Sequence, residues 1–162
     1  MTGLLFELGP CRVTSGGQGT ELNPHSWNSR SNIIFLDQPA NVGFSHGGKG
    51  VSNSNVAAED AYVFLQLFLE SFKKYSNLPF VVTGESYAGH YIPAIANQIQ
   101  TQNLQLKQSN PHQLANINLV SIAIGNGLTD PAVQYEYYPD MACDTKYGPV
   151  LSDEQCDEMR GI

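Results

Sequence analysis

The sequence runs from a short apolar, β-branched stretch, Phe80–Thr83, through Gly84-Glu85-Ser86-Tyr87-Ala88-Gly89 and straight into a helical pattern from Tyr87 to Gln100. A strand that becomes a helix within a few residues must fold its backbone sharply, and small residues beside the turn leave room for that crossing. Gly84 stands two residues before the serine. Ala88 and Gly89 follow it, so this is a Gly-x-Ser-x-Gly pattern with alanine in the second glycine position and a glycine one place later. On such a turn the Ser86 hydroxyl tops the carboxyl end of the sheet, and the Tyr87 amide and the helix N-terminus face the same point. Ser86 is therefore a candidate nucleophile for acyl transfer, with the Tyr87 N–H as an oxyanion donor. From these residues alone, in a chain with 15 glycines, a tight structural turn is the alternative.

The flanking sequence repeats the alternation. Leu4, Leu5, Phe6 and Leu8 form a short apolar element that stops at Gly9-Pro10, and residues 11–30 read as irregular. Asn32–Leu36 reads as a buried strand ending at Asp37, followed by a Gly- and Ser-rich loop, Ala40–Asn53. From Asn55 to Tyr75, apolar residues at 57, 61, 64, 65, 68 and 72 recur at helical spacing, with Ser54 or Asn55 as the expected cap. Pro93 is a blemish in the second helix, Thr101–Asn116 reads as loop, and Leu119–Ile124 as a third strand ended by Gly125-Asn126-Gly127. A short helix over Leu151–Met159 should start near Ser152, with Glu154 in its first turn. Strand, helix, strand, helix, strand predicts an α/β chain with a mostly parallel sheet flanked by helices.

Charge and cysteines narrow the partners. With 8 basic against 15 acidic residues and no basic run, nucleic acid is excluded as a natural partner. No run approaches the roughly 18 apolar residues of a membrane span, and Met1–Pro10 lacks the basic start and small-residue cleavage site of a signal peptide. Cys143 and Cys156 lie 13 residues apart and could close a local loop, with unpaired thiols as the alternative. Cys11 has no evident partner. No CxxC or histidine cluster suggests a metal, and no cofactor is expected.

Thr83–Tyr91, TGESYAGHY, resembles the nucleophile segment of the serine carboxypeptidases, especially the fungal vacuolar type. Thr2–Pro10 (TGLLFELGP), Trp27–Ser45 (WNSRSNIIFLDQPANVGFS), Ile124–Pro131 (IGNGLTDP) and Tyr137–Cys143 (YYPDMAC) match the same family in the same order. The resemblance implies a partial α/β-hydrolase fold, with residues 1–134 as core and 135–162 as the start of a helical, disulfide-bearing insertion. It implies a peptidase that removes C-terminal residues through an acyl-enzyme, acting on peptides or proteins with a free C-terminus. Ser86 is then the nucleophile, the Tyr87 amide an oxyanion donor, and Glu7 and Glu85 the carboxyl groups that hold the substrate's terminal carboxylate. Carboxylates gathered around a third must share a proton, so acidic pH should favour the reaction. Cys143 and Cys156 resemble a family disulfide, which fits an oxidising vacuolar, lysosome-like or secreted setting. The chain has no Asn-x-Ser/Thr site, a departure from the glycosylated habit of such enzymes.

Triad order in this fold runs serine, aspartate, histidine. Asp37 precedes Ser86 and is excluded; Asp130 has no histidine after it. His25, His46, His90 and His112 read as surface or supporting residues. The triad aspartate and histidine, and a WNGGPGCSS-like motif with its central strand, are expected outside these residues. The 162 residues alone are accordingly expected to be an inactive internal fragment. An esterase or acyltransferase of the same fold, or a non-catalytic homologue, are the competing readings.

Overall fold

The computed structural model describes residues 1–109 and 114–161, so His112 lies outside the described residues. The backbone gathers into two compact units, Met1–Phe64 and Leu65–Ile162.

In the first unit the apolar start winds into one wide helical turn, Gly3–Glu7, closed by the Leu8 N–H donating to the Gly3 carbonyl at 2.7 Å. It ends where expected: a side chain at Gly9 would run into the Leu4 carbonyl. Residues 11–30 are not all irregular. Strands β1 (Cys11–Val13) and β2 (Thr20–Leu22) pair antiparallel, Cys11 opposite Leu22 and Val13 opposite Thr20. Three-residue strands carry too little alternation to be read from sequence, but Gly16 (φ 92°) and Gly17 (φ 69°) supply the left-handed turn between them. Asn23 locks this ribbon to the first turn. Its side chain is buried and donates to the Glu7 and Gly9 carbonyls at 3.0 and 2.9 Å.

Asn32–Leu36 departs from expectation. Residues 32–38 belong to no helix or ladder, and Ile34 and Leu36 are exposed. The apolar pattern is a strand's; what it lacks among the described residues is a hydrogen-bonding neighbour, without which no strand forms. Beyond it Asp37 organises the next turns, accepting from the Phe44 N–H at 2.9 Å while its carbonyl accepts from Ser45 Oγ at 2.6 Å.

Helix α1 (Ser54–Ser71) begins in the first unit and ends in the second. It buries Ala57, Ala58, Ala61, Tyr62, Leu65, Gln66 and Leu69, the 3–4 residue period anticipated with a slightly turned face. Its cap is Asn53, whose Oδ1 accepts from the Val56 N–H at 3.0 Å, rather than Ser54 or Asn55. The helix also stops short of Tyr75; Lys73–Tyr75 form a separate tight turn, with Phe68 stacked near Phe72 and Tyr75.

In the second unit β3 (Phe80–Glu85), α2 (Ala88–Ser109) and β4 (Leu119–Gly125) make a strand-helix-strand unit, the strands parallel with Glu85 opposite Gly125. Ile92, Ile99 and Ile117 are its fully buried side chains, each contributing roughly 1.5–3 kcal/mol of apolar burial. The expected loop from Thr101 is helical as far as Ser109. Polar composition misleads there because Asn103, one turn beyond Ile99, is buried by pairing with backbone: it donates to the Ile117 carbonyl at 2.8 Å and accepts from the Ile117 N–H at 3.1 Å. Gln66 does the same for Ala115, both bonds at 2.8 Å.

After β4 come α3 (Pro131–Gln134), α4 (Tyr138–Cys143) and α5 (Asp153–Arg160). Helix α5 starts where the sequence places it, with Ser152 and Gln155 in a reciprocal capping box. Cys143 and Cys156 form the disulfide that joins α4 to α5, their Cα atoms 5.9 Å apart, which removes the unpaired-thiol alternative; Cys11 is free and half-buried. Among the described residues, no helix is long and apolar enough to cross a membrane.

Candidate active site

Strand β3 ends at Glu85 and α2 begins at Ala88, so Ser86 and Tyr87 make the entire connection. Ser86 has φ 61°, the left-handed region that costs a non-glycine residue roughly 1–3 kcal/mol and persists only where neighbours over-determine it. The neighbours are identifiable. The Ser86 N–H donates to the Gly125 carbonyl at 3.0 Å, and the Ser86 carbonyl accepts from the Gly89 and Leu128 N–H groups at 3.0 and 2.9 Å. One strained serine is thus pinned from the end of β4, from the loop after it, and from its own helix.

Small residues make that clamp possible. A Cβ on Gly84 would lie 2.6 Å from the Ala88 Cβ, so only one of the two positions flanking the serine can carry a side-chain carbon. Alanine is tolerated after the serine because glycine stands before it. A Cβ on Gly89 would come within 2.5 Å of the Leu128 backbone, so this glycine serves the approach of the Gly125–Leu128 loop.

The side chains follow from this bend. Ser86 and Glu85 are exposed, and Tyr87 is about half exposed beside them. The Tyr87 N–H precedes the first turn of α2, where amides have no acceptor within the helix. The 22-residue helix adds the positive end of its dipole at the same place. The Tyr87 ring lies nearly parallel to His90, centroids 4.7 Å apart, and edge-on to Tyr91 at 5.0 Å. His90 Nδ1 is hydrogen-bonded to the Leu128 carbonyl.

Other candidates take different places. Glu7 is exposed on the wide turn of the first unit, with its own carbonyl held by Asn23 and by Arg12 Nη2 at 3.2 Å. Asp37 also belongs to that unit; the Phe44 N–H at 2.9 Å is the main group that holds its carboxyl below the usual range. Asp130 caps α3, accepting from the Ala132 and Val133 amides at 3.1 and 3.4 Å, which is a sufficient reason for its presence. His25 and His46 are exposed. No group of three or more His, Cys, Asp or Glu among the described residues could hold a metal ion.

The Gly125–Leu128 loop is the part of the site whose role the sequence reading missed, since it gave the stretch as the end of a strand and a family match but not as a clamp on Ser86. Its signal was present: Gly-Asn-Gly after a strand, with Asn126 at φ 46°.

Known proteins carry the same arrangement of sequence. The model of the family described as serine carboxypeptidase matches residues 1–162. Carboxypeptidase Y of Candida albicans is 52% identical over 160 residues, which are 98% of this chain and 28% of that protein. Carboxypeptidase Y of Schizosaccharomyces pombe is 48% identical, over 99% of this chain and 16% of its own length. The vacuolar serine-type carboxypeptidase ATG42 of Saccharomyces cerevisiae is 47% identical, over 98% and 29%. Among solved structures, Kex1(delta)p, a prohormone-processing carboxypeptidase from Saccharomyces cerevisiae, superposes with a TM-score of 0.81 at 29% identity, over 99% of this chain and 36% of that one. The chain spans less than a third of the length of these three relatives.

Proposed function

The chain belongs to the serine carboxypeptidase family, and we propose that it carries the nucleophile of an enzyme that releases C-terminal amino acids from peptides and proteins. Its fold is α/β-hydrolase-like, with parallel and antiparallel strand pairs, flanking helices and a disulfide-bearing helical segment. Residues 1–134 form the core portion in this reading, and 135–162 begin an insertion.

Ser86 Oγ attacks the carbonyl before the terminal residue; its proton passes to a general base, and the oxyanion that forms accepts from the Tyr87 N–H. The C–N bond breaks, the amine leaves protonated as a free amino acid, and water hydrolyses the Ser86 ester. In this reading the family resemblance assigns the substrate's terminal carboxylate to Glu85 and Glu7. The general base is a group other than His90, whose Nδ1 is committed to the Leu128 carbonyl; without a base a serine hydroxyl is a weak nucleophile. A vacuolar or secreted compartment is the setting, in keeping with the Cys143–Cys156 disulfide.

The observation that carries this reading is the left-handed Ser86 between β3 and α2. The test uses the full natural polypeptide that contains this chain. A fluorophosphonate probe should label Ser86, Ser86→Ala should abolish labelling, and a blocked dipeptide acid should be cleaved far faster than its C-terminal amide. Equal rates on acid and amide would reject the carboxypeptidase reading in favour of a general esterase or amidase.

A further inference from the structure

His90 lies four residues after Ser86, in the first turn of α2, and has no part in the mechanism above. Its ring nevertheless joins two components of the site. Nδ1 meets the Leu128 carbonyl, an acceptor only, so the proton of that bond resides on Nδ1. One face of the ring stacks on Tyr87, 18° from parallel. The same Leu128 donates its N–H to the Ser86 carbonyl. The peptide groups of Leu128 are therefore used at both ends, one by the nucleophile and one by the histidine. Gly89, between those two residues, has its Cβ direction filled by the Leu128 backbone.

We propose that His90 is a positioning residue for acyl transfer: through Leu128 it fixes the left-handed turn at Ser86, and through its ring it fixes the position of Tyr87. This rests on Ser86 being the nucleophile. A turn that is unfavourable in isolation relaxes when its clamps are removed, and a displacement of about 1 Å at a nucleophile can lower rates by about a hundredfold. The lost quantity is attack geometry, so kcat should fall while KM holds.

The test compares His90→Phe, which keeps a ring against Tyr87 but has no donor, with His90→Asn, whose amide can restore an N–H toward Leu128. Both are made in the full natural polypeptide. His90→Phe should slow fluorophosphonate labelling of Ser86 and reduce kcat on a blocked peptide acid by about 10- to 100-fold, with KM within about twofold. His90→Asn should recover most of the labelling rate. Amide exchange at Leu128 should accelerate about tenfold in His90→Phe and little in His90→Asn, a reading independent of chemistry. Wild-type labelling by His90→Phe, a loss confined to KM, or no rescue by His90→Asn would overturn the proposal. Should His90→Phe not fold, His90→Asn decides: labelling within about threefold of wild type supports the tether, and a larger loss at an unchanged Tm refutes it. Labelling that survives Ser86→Ala would instead overturn the nucleophile assignment, and Leu128 exchange would still report on the tether.

Discussion

Asn103 pairs with Ile117 as one strand residue pairs with another, its side-chain amide exchanging two hydrogen bonds with the Ile117 N–H and carbonyl at 3.1 and 2.8 Å. Gln66 makes the equivalent exchange with Ala115, two residues earlier on the approach to β4. Two helices thus supply, from side chains, the ladder bonds that this stretch of chain does not get from a strand. That approach sets the register of β4, which in turn places Gly125 against Ser86.

Asn103→Ala should therefore destabilise the protein by about 1–3 kcal/mol, because it strands the buried Ile117 N–H, while the Ile117 carbonyl keeps the Leu119 N–H at 2.8 Å. Exposed Asn97→Ala on the same helix should change stability by no more than about 0.5 kcal/mol. Urea denaturation of the two variants measures the difference. Equal stability would mean that water replaces the amide at Ile117.

Gly89→Ala tests the closeness of the elbow to its loop. The added methyl meets the Leu128 backbone at 2.5 Å, contact that neither segment can relieve by turning a side chain. A loss of about 1–3 kcal/mol is expected from overpacking, together with slower labelling of Ser86. Gly50→Ala is the contrast, since a Cβ there meets nothing within 4 Å and its φ is not left-handed. If both variants melt alike, the approach of Leu128 to Gly89 is looser than described.

The elbow was legible because its chemistry is local. Gly84 and Ser86 need their residue types for reasons that lie within one turn of chain, and the strand before and helix after carry their own periodicities; Gly89 answers instead to the Leu128 backbone. Asn103 and Gln66 were illegible for the opposite reason. Each is polar in sequence and buried in the fold because its partner is backbone 14 or 49 residues away. The Asn32–Leu36 stretch failed differently: its apolar pattern is that of a buried strand, yet a strand is a relation to a neighbour, which no window of sequence contains. His90 was legible only as a supporting histidine, since its role depends on Leu128, 38 residues distant.

Asp37 gives a pH dependence with a definite sign. Its carboxyl is held below the ordinary aspartate range, above all by the hydrogen bond from the Phe44 N–H at 2.9 Å. A lowered folded pKa means that the unfolded chain binds the proton more readily. The stabilisation is complete above the unfolded value, about 4, and is lost as pH falls from there through the lowered folded value. Asp37→Asn should flatten the stability profile below about pH 4 and leave its neutral-pH slope unchanged. Melting temperatures recorded from pH 2.5 to 7 would check this, and an unaltered acid slope in the variant would remove Asp37 as its source.

The disulfide should act on a different part of the chain from the nucleophile. Cys143 and Cys156 close a loop of 13 residues between α4 and α5; on the chain-entropy estimate such a loop contributes about 3 kcal/mol by restricting the unfolded state. The capping box at Ser152 and the Arg160–Asp144 contact at 2.6 Å remain when the sulfurs are removed, but that ion pair is exposed and screened by solvent. A Cys143→Ser, Cys156→Ser double variant should accordingly lose most of its protection from proteolysis between residues 143 and 156. The bonds that hold Ser86 all come from residues 89–128 and do not depend on this loop. Labelling of Ser86 should therefore stay within about twofold of wild type at temperatures where the variant is folded, a margin of about 0.4 kcal/mol. Loss of labelling in step with proteolysis of the loop would mean that the two regions unfold as one cooperative unit.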